Sequence, residues 1–132
     1  MKQRQDATID HLLGELEAAI MRLMWTSRTA TVRDIFELLR ANGRSLAYTT
    51  VMTVMSRLAG KGLLTRELTG KTHVYRVAQT EDQFLRTAAA KRVQALVDEF
   101  GDLAIAQFLT AVNELSPERQ AQLERIARGE AP

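Results

Sequence analysis

Hydroxyl side chains crowd one stretch of the chain, residues 45–64, where long charged side chains would suit a water-exposed helix better. The stretch reads SLAYTTVMTVMSRLAGKGLL and includes Thr49, Thr50, Thr53 and Ser56. A hydroxyl donates and accepts hydrogen bonds, but it needs an adjacent base to become a nucleophile. The chain has two histidines and no cysteine, and its sequence contains no recognisable nucleophile–base pair, phosphate-binding loop or metal cluster. The hydroxyls therefore predict binding without catalysis, cofactor or metal.

The spacing within this stretch predicts a helix over residues 47–61 with two distinct faces. At about 100° per residue, two sets of side chains separate around the helix. The buried set is predicted to be Val51, Val54, Met55 and Leu58. The opposite, outward set is Thr50, Thr53, Ser56 and Arg57. A threonine-rich face is also typical of a solvated surface, so its surroundings must decide between the two interpretations.

Those surroundings are basic. Residues 1–77 contain twelve Lys and Arg against seven Asp and Glu, whereas residues 78–132 contain six against nine. Between residues 40 and 76 the only acid is Glu67, and the cations are Arg40, Arg44, Arg57, Lys61, Arg66, Lys71 and Arg76. A concentration of positive charge on one segment indicates a polyanionic partner.

The flanking elements are predicted from local signals. Apolar spacing indicates a helix over residues 14–26. Thr31, three residues before Asp34, forms the start of a second helix, which ends at residues 42–43. The alternation of side-chain types over residues 64–77 predicts a hairpin of two short strands around residues 69–71.

Three helices and a basic hairpin are the plan of a winged helix-turn-helix, a mainly α fold. A recognition helix must approach DNA closely, because the major groove is only about 12 Å wide, and short hydroxyls permit this approach. We expect Thr49, Thr50, Thr53 and Arg57 to face the major groove. Arg44, Ser45 and Tyr48 are expected to hold the DNA backbone. The hairpin residues expected to contact the backbone or the minor groove are Arg66, Lys71, His73 and Arg76.

The remaining segment predicts three helices that begin near Thr80, after residue 101 and at Ser116. Their apolar stripes are too wide for short helices to bury alone, so we expect a homodimer. The predicted dimerisation residues are Leu85, Val93, Leu96, Phe100, Ile105, Phe108, Leu109 and Val112. The alternative is that these helices fold back on the first segment of their own chain. We predict a DNA-binding domain over residues 1–78 and a helical dimerisation domain over residues 79–132.

The chain resembles the penicillinase (β-lactamase) repressor family of BlaI/MecI type. The resemblance is carried by Leu16-Glu17, Met24-Trp25, Thr31-Val32-Arg33, Ala47-Tyr48-Thr49-Thr50-Val51, Arg57-Leu58 and Lys61-Gly62-Leu63. It implies a homodimeric repressor that binds palindromic operator DNA and blocks transcription. It also implies a sensor-linked protease as a partner, with cleavage before a phenylalanine. The corresponding bond here is Gln107-Phe108, with Gln in place of the family's Asn.

Two other functions fit the same residues. One is a winged-helix regulator released by a small molecule bound between the segments, and the other is a protein-interaction adaptor that does not bind DNA. Acidic residues interrupt the N-terminal segment, so no signal peptide or membrane span is recognisable. We expect a soluble cytoplasmic protein without membrane insertion.

Overall fold

A computed structural model describes residues 2–130 of the chain. The chain folds as two compact units, the first reaching Thr87 and the second starting at Ala88. The order of elements confirms the predicted class, a mainly helical winged helix-turn-helix followed by further helices. Among the described residues, none of the helices is long and apolar enough to span a membrane.

The first unit opens with two helices, α1 (Lys2–Leu13) and α2 (Glu15–Ser27). Helix α2 is the one predicted over residues 14–26, whereas α1 was not predicted. Gly14 separates the two helices with a φ of 82°, a conformation that side chains with a Cβ rarely adopt.

Helix α1 is polar along most of its length and is held in place by tertiary contacts. Ile9 is fully buried in the core of the unit. Arg22 of α2 donates a hydrogen bond of 2.9 Å to the Asp10 carboxylate and one of 2.8 Å to the Asp6 carbonyl. The missed helix is thus stabilised by contacts that periodicity along α1 does not reveal.

Helices α3 (Val32–Ala41) and α4 (Tyr48–Gly60) form the helix-turn-helix pair. The predicted start of α3 is confirmed. The Asp34 N–H donates to the Thr31 hydroxyl and the Thr31 N–H donates to the Asp34 carboxylate, so two free N–H groups at the helix start are satisfied. Residues 42–47 form the turn between the helices.

A three-stranded antiparallel sheet completes the first unit, and residues 72–77 form its central strand. The predicted hairpin is β2 (Leu64–Thr69) and β3 (Thr72–Val77), which we call the wing, and the short strand β1 (Thr29–Thr31) was not predicted. Tyr75 of β3 is 1% exposed and anchors the wing in the core.

Gln79 is hydrogen-bonded to the rest of the first unit through both its backbone and its side chain. The Trp25 indole N–H donates to the Gln79 carbonyl at 2.9 Å, and the Gln79 side chain donates to the Gly62 carbonyl at 3.0 Å. Helix α5 (Glu81–Phe100) then begins near Thr80, as predicted, and Thr80 and Gln83 form a capping box at its start. The first unit therefore extends past residue 78, and a functional division there stays a prediction.

The second unit contains the rest of α5 with α6 (Asp102–Asn113) and α7 (Pro117–Ala127). Both breaks fall where the sequence predicts them, at Gly101 with a φ of 63° and at Ser116, whose hydroxyl accepts from the Arg119 N–H. Among the described residues of this unit, Ala104 alone is a buried apolar side chain. These helices therefore have almost no core of their own.

The packing of α1 generates a stability prediction. Ile9→Ala should lower the free energy of unfolding by about 2–5 kcal/mol, because it removes a fully buried side chain and leaves a cavity. Urea unfolding followed by circular dichroism measures the change. Gln5→Ala, at an exposed position of the same helix, should change it by less than about 0.5 kcal/mol. Equal unfolding midpoints for the two variants would contradict the packing of α1.

Candidate nucleic-acid interface

The two predicted faces of α4 are present in the structure. Val51, Val54, Met55 and Leu58 are all buried, with exposures between 0% and 7%. The opposite side chains, Thr49, Thr50, Thr53, Ser56 and Arg57, are all exposed. The apolar stripe therefore fixes the rotation of α4 and directs the hydroxyl face outward.

The outward hydroxyls of α4 form no hydrogen bond within the described part of the chain. Elsewhere, Thr8, Thr26 and Thr110 each donate to the carbonyl four residues earlier in their own helix. Thr50 and Thr53 differ from these helical threonines because their hydroxyls remain available to an external partner. Their presence does not serve the internal hydrogen bonding of the fold.

The predicted cations fall into two groups according to their partners. Arg57, Arg66 and Lys71 form no ion pair with any described residue. Arg44, in contrast, lies 3.1 Å from the Glu15 carboxylate, and Arg76 lies 3.2 Å from Glu67. The cations of the first group can bind a partner directly. Arg44 and Arg76 must first release the carboxylate with which each is paired.

Sequence reasoning missed the acidic first turn of α2 as part of this region. Glu15 reaches Arg44 before α4, and Glu17 holds Lys61 after α4 at 2.8 Å. The residues are far apart in the sequence, so no local signal predicts these pairs. An exposed ion pair contributes at most about 1 kcal/mol, and Glu15 is 81% exposed, so a phosphate can replace it on Arg44.

The register of the wing separates its cations onto two faces. Arg66 pairs with Tyr75 and Leu68 with His73, so Arg66 and His73 lie on the face that carries the buried tyrosine. Arg76 pairs in register with Thr65 and lies on the opposite face. A one-residue shift would exchange these faces, and the burial of Tyr75 opposes such a shift.

A groove of about 630 Å³ lies between the start of α3, the first half of α4 and the wing. Tyr48 and Met52 of α4 line it, with Arg66, Lys71 and His73 from the wing. The Tyr48 ring packs edge-on against Phe36 with a centroid separation of 5.6 Å, which fixes its position. The groove thus brings together predicted site residues from α4 and the wing.

The remaining predicted residues lie around this region or in the second unit. Ser45 is exposed in the turn before α4. Leu85 is half-buried against the core of the first unit, whereas the other predicted dimerisation residues belong to the second unit. Those residues are exposed on α5 and α6: Val93, Leu96, Phe100, Ile105, Phe108, Leu109 and Val112.

An apolar hollow of about 310 Å³ lies in the second unit between the end of α5 and α6. Its lining includes Phe100, Leu103 and Phe108 together with Gln107. The Gln107–Phe108 bond lies inside α6 and not in a loop, so this helix must open locally before a protease can bind an extended segment. Cleavage there stays a prediction.

The arrangement of α2, α3 and α4 with the three-stranded sheet defines the winged helix-turn-helix class, and α4 holds the position of the recognition helix. A sequence model of the penicillinase repressor family matches residues 13–128. The chain belongs to that family, whose members are repressors and not enzymes. Helix α1 lies almost entirely before the matched residues.

Curated relatives match the chain over a shorter length. The transcriptional regulator BlaI of Mycobacterium tuberculosis, in strains CDC 1551/Oshkosh and ATCC 25618/H37Rv, is 45% identical over 75 residues. The match covers 55% of this chain and 53% of each relative. The chain therefore spans about half the length of the curated relatives that it matches.

The contrast between capping and outward hydroxyls gives a second prediction. Thr31→Ala should lower the free energy of unfolding by about 0.5–2 kcal/mol, because it removes the cap of α3. Thr53→Ala should leave stability unchanged or raise it slightly, because its hydroxyl has no described partner and alanine favours the helix. Thermal and urea unfolding measure both variants. A loss for Thr53→Ala as large as that for Thr31→Ala would show that the α4 face serves folding.

Proposed function

We propose that this protein is a homodimeric repressor that binds palindromic operator DNA through α4 and the wing and thereby blocks transcription. The single observation that carries this proposal is the outward face of α4. Its hydroxyls form no hydrogen bond and its arginine forms no ion pair with any described residue, so neither feature serves the fold.

The shape of this face suits the DNA major groove. Thr49, Thr50 and Thr53 are short, so the α4 backbone can approach the base edges closely. Threonine hydroxyls bond either base edges or phosphates, and their methyl groups suit the methyl of thymine. Arg57, one helical turn further along, is long enough to reach a guanine edge or a phosphate.

The wing and the turn before α4 supply affinity that does not depend on sequence. Arg66 and Lys71 have no described ion pair, so each contact with a phosphate releases counterions without first breaking a pair. Arg44 adds a further contact when phosphate replaces Glu15. These cations hold the protein in register while the α4 face contacts the bases.

Dimerisation is supported by the exposed apolar side chains of the second unit. Phe100 is 53% exposed and Leu109 is 59% exposed, although both are large apolar residues on regular helices. With a single buried apolar side chain among its described residues, this unit requires a partner surface to stabilise its helices. A second copy provides an identical surface and places two α4 helices on two half-sites about one helical turn apart.

The contribution of Arg57 can be measured directly. Arg57→Ala should weaken binding to a duplex selected by this protein from a random library, by about 1–3 kcal/mol. A scrambled duplex of equal length separates two causes: a lost base contact weakens only the selected duplex, whereas a lost phosphate contact weakens both equally. Fluorescence anisotropy at physiological salt provides the measurement.

Arg40→Ala is the matched control for charge, because Arg40 is exposed on α3 and forms no described ion pair. Its affinity for the selected duplex should remain close to that of the unaltered protein. If Arg57→Ala also bound with unaltered affinity, the assignment of the α4 face would be wrong. If the unaltered protein showed no salt-dependent binding to any duplex, the proposed function would fail.

The dimer interface gives a separate prediction. Phe100→Glu should convert a dimer into a monomer at micromolar concentration, because it places a charge within the apolar surface. Sedimentation velocity gives the mass. Leu68→Glu, at a 63% exposed position of the wing, should remain a dimer. A monomeric unaltered protein, or a Phe100→Glu variant that stays dimeric, would contradict this interface.

A further inference from the structure

Arg33, which sequence reasoning did not assign to the site, reaches the groove beside α4. It lies in the first turn of α3, is exposed and has no ion pair with any described residue. The same groove contains Arg66 and Lys71 from the wing. Three cations from two separate parts of the first unit therefore line one groove, and none of them forms an ion pair with a described residue.

One acidic residue lines this groove, and its charge offsets only part of that of the three cations. Asp34 contributes to the lining, but its Oδ2 accepts the Thr31 N–H at 3.0 Å as part of the α3 capping box. Its carboxylate is therefore engaged with the helix start. The net charge of the groove is positive, and His73 adds two further nitrogen atoms that can donate or accept hydrogen bonds.

The lining of the groove combines charged and apolar side chains. Tyr48 and Met52 contribute largely apolar side chains, 41% and 45% exposed, in addition to the cations. A sugar–phosphate backbone has a matching composition, since apolar deoxyribose carbons alternate with charged phosphates. A small free anion would bind the cations but would not contact the apolar side chains.

We propose that this groove holds the sugar–phosphate backbone of one DNA strand and that Arg33 contacts one of its phosphates. This inference rests on the proposed function. If α4 enters the major groove and the wing reaches the neighbouring minor groove, the strand that separates those two grooves must pass between α4 and the wing. That path is the groove, and Arg33 holds the strand from the side of α3.

The test compares three single substitutions in the full chain. Arg33→Gln, Arg33→Lys and the matched control Arg40→Gln are titrated against the selected duplex between 50 and 200 mM salt, the range over which phosphate contacts show their effect, in roughly equal steps. Arg33→Gln and Arg40→Gln remove the same charge from the same helix, but only Arg33 lines the groove. Thermal unfolding checks that all variants are folded.

For Arg33→Gln we expect the slope of log affinity against log salt to fall by about one, the contribution of one phosphate contact. Affinity for selected and scrambled duplexes should fall by the same factor, because a phosphate carries no base identity. Arg33→Lys should retain most of the slope, and Arg40→Gln should retain all of it.

Three results would overturn the inference. Arg33→Gln and Arg40→Gln could share the slope of the unaltered protein, in which case Arg33 contacts no phosphate. Arg33→Gln could weaken the selected duplex alone, in which case Arg33 reads a base. Inorganic phosphate at constant ionic strength could raise the unfolding temperature of the unaltered protein but not of Arg33→Gln, in which case the groove takes a free anion. Absence of all duplex binding by the unaltered protein would instead reject the proposed function.

Discussion

The burial of one apolar stripe on α4 determines the orientation of every DNA contact proposed for this helix. Val51, Val54, Met55 and Leu58 pack against α2, α3 and β2, and a rotation of α4 would expose them. Each fully buried side chain of this size contributes roughly 1.5–3 kcal/mol, so the stripe holds the helix in one rotational position. The hydroxyl face is outward because the opposite face is required by the core.

Ion pairs neutralise some of the positive charges of the first unit and leave others unpaired among the described residues. Glu15, Glu17 and Glu67 neutralise cations at the two ends of α4 and on one face of the wing. Arg57 on the outward face of α4, and Arg33, Arg66 and Lys71 along its adjoining groove, form no ion pair with any described residue. A net charge of +2 for the whole chain therefore conceals a strongly basic surface on one side of this unit.

The second unit differs from the first because its described residues form almost no apolar core. Its helices begin and end at strong local signals, yet their large apolar side chains remain exposed in the single chain. Exposed apolar surface of this kind is unfavourable in water and favours association. In the proposed dimer the same surface both completes the fold and sets the spacing between two recognition helices, so stability and recognition depend on one interface.

The sequence by itself determined the features that depend on neighbouring residues: the two faces of α4, the caps at Thr31, Thr80 and Ser116, and the wing. Helical period, capping and turn chemistry are local, so they can be read along the chain. Only the tertiary structure decided the features that join distant residues. Helix α1 depends on Arg22, strand β1 depends on pairing with β3, and Glu15 reaches Arg44. Arg33 is recognised as a candidate site residue only in the structure, because the groove that it lines forms where separate elements meet.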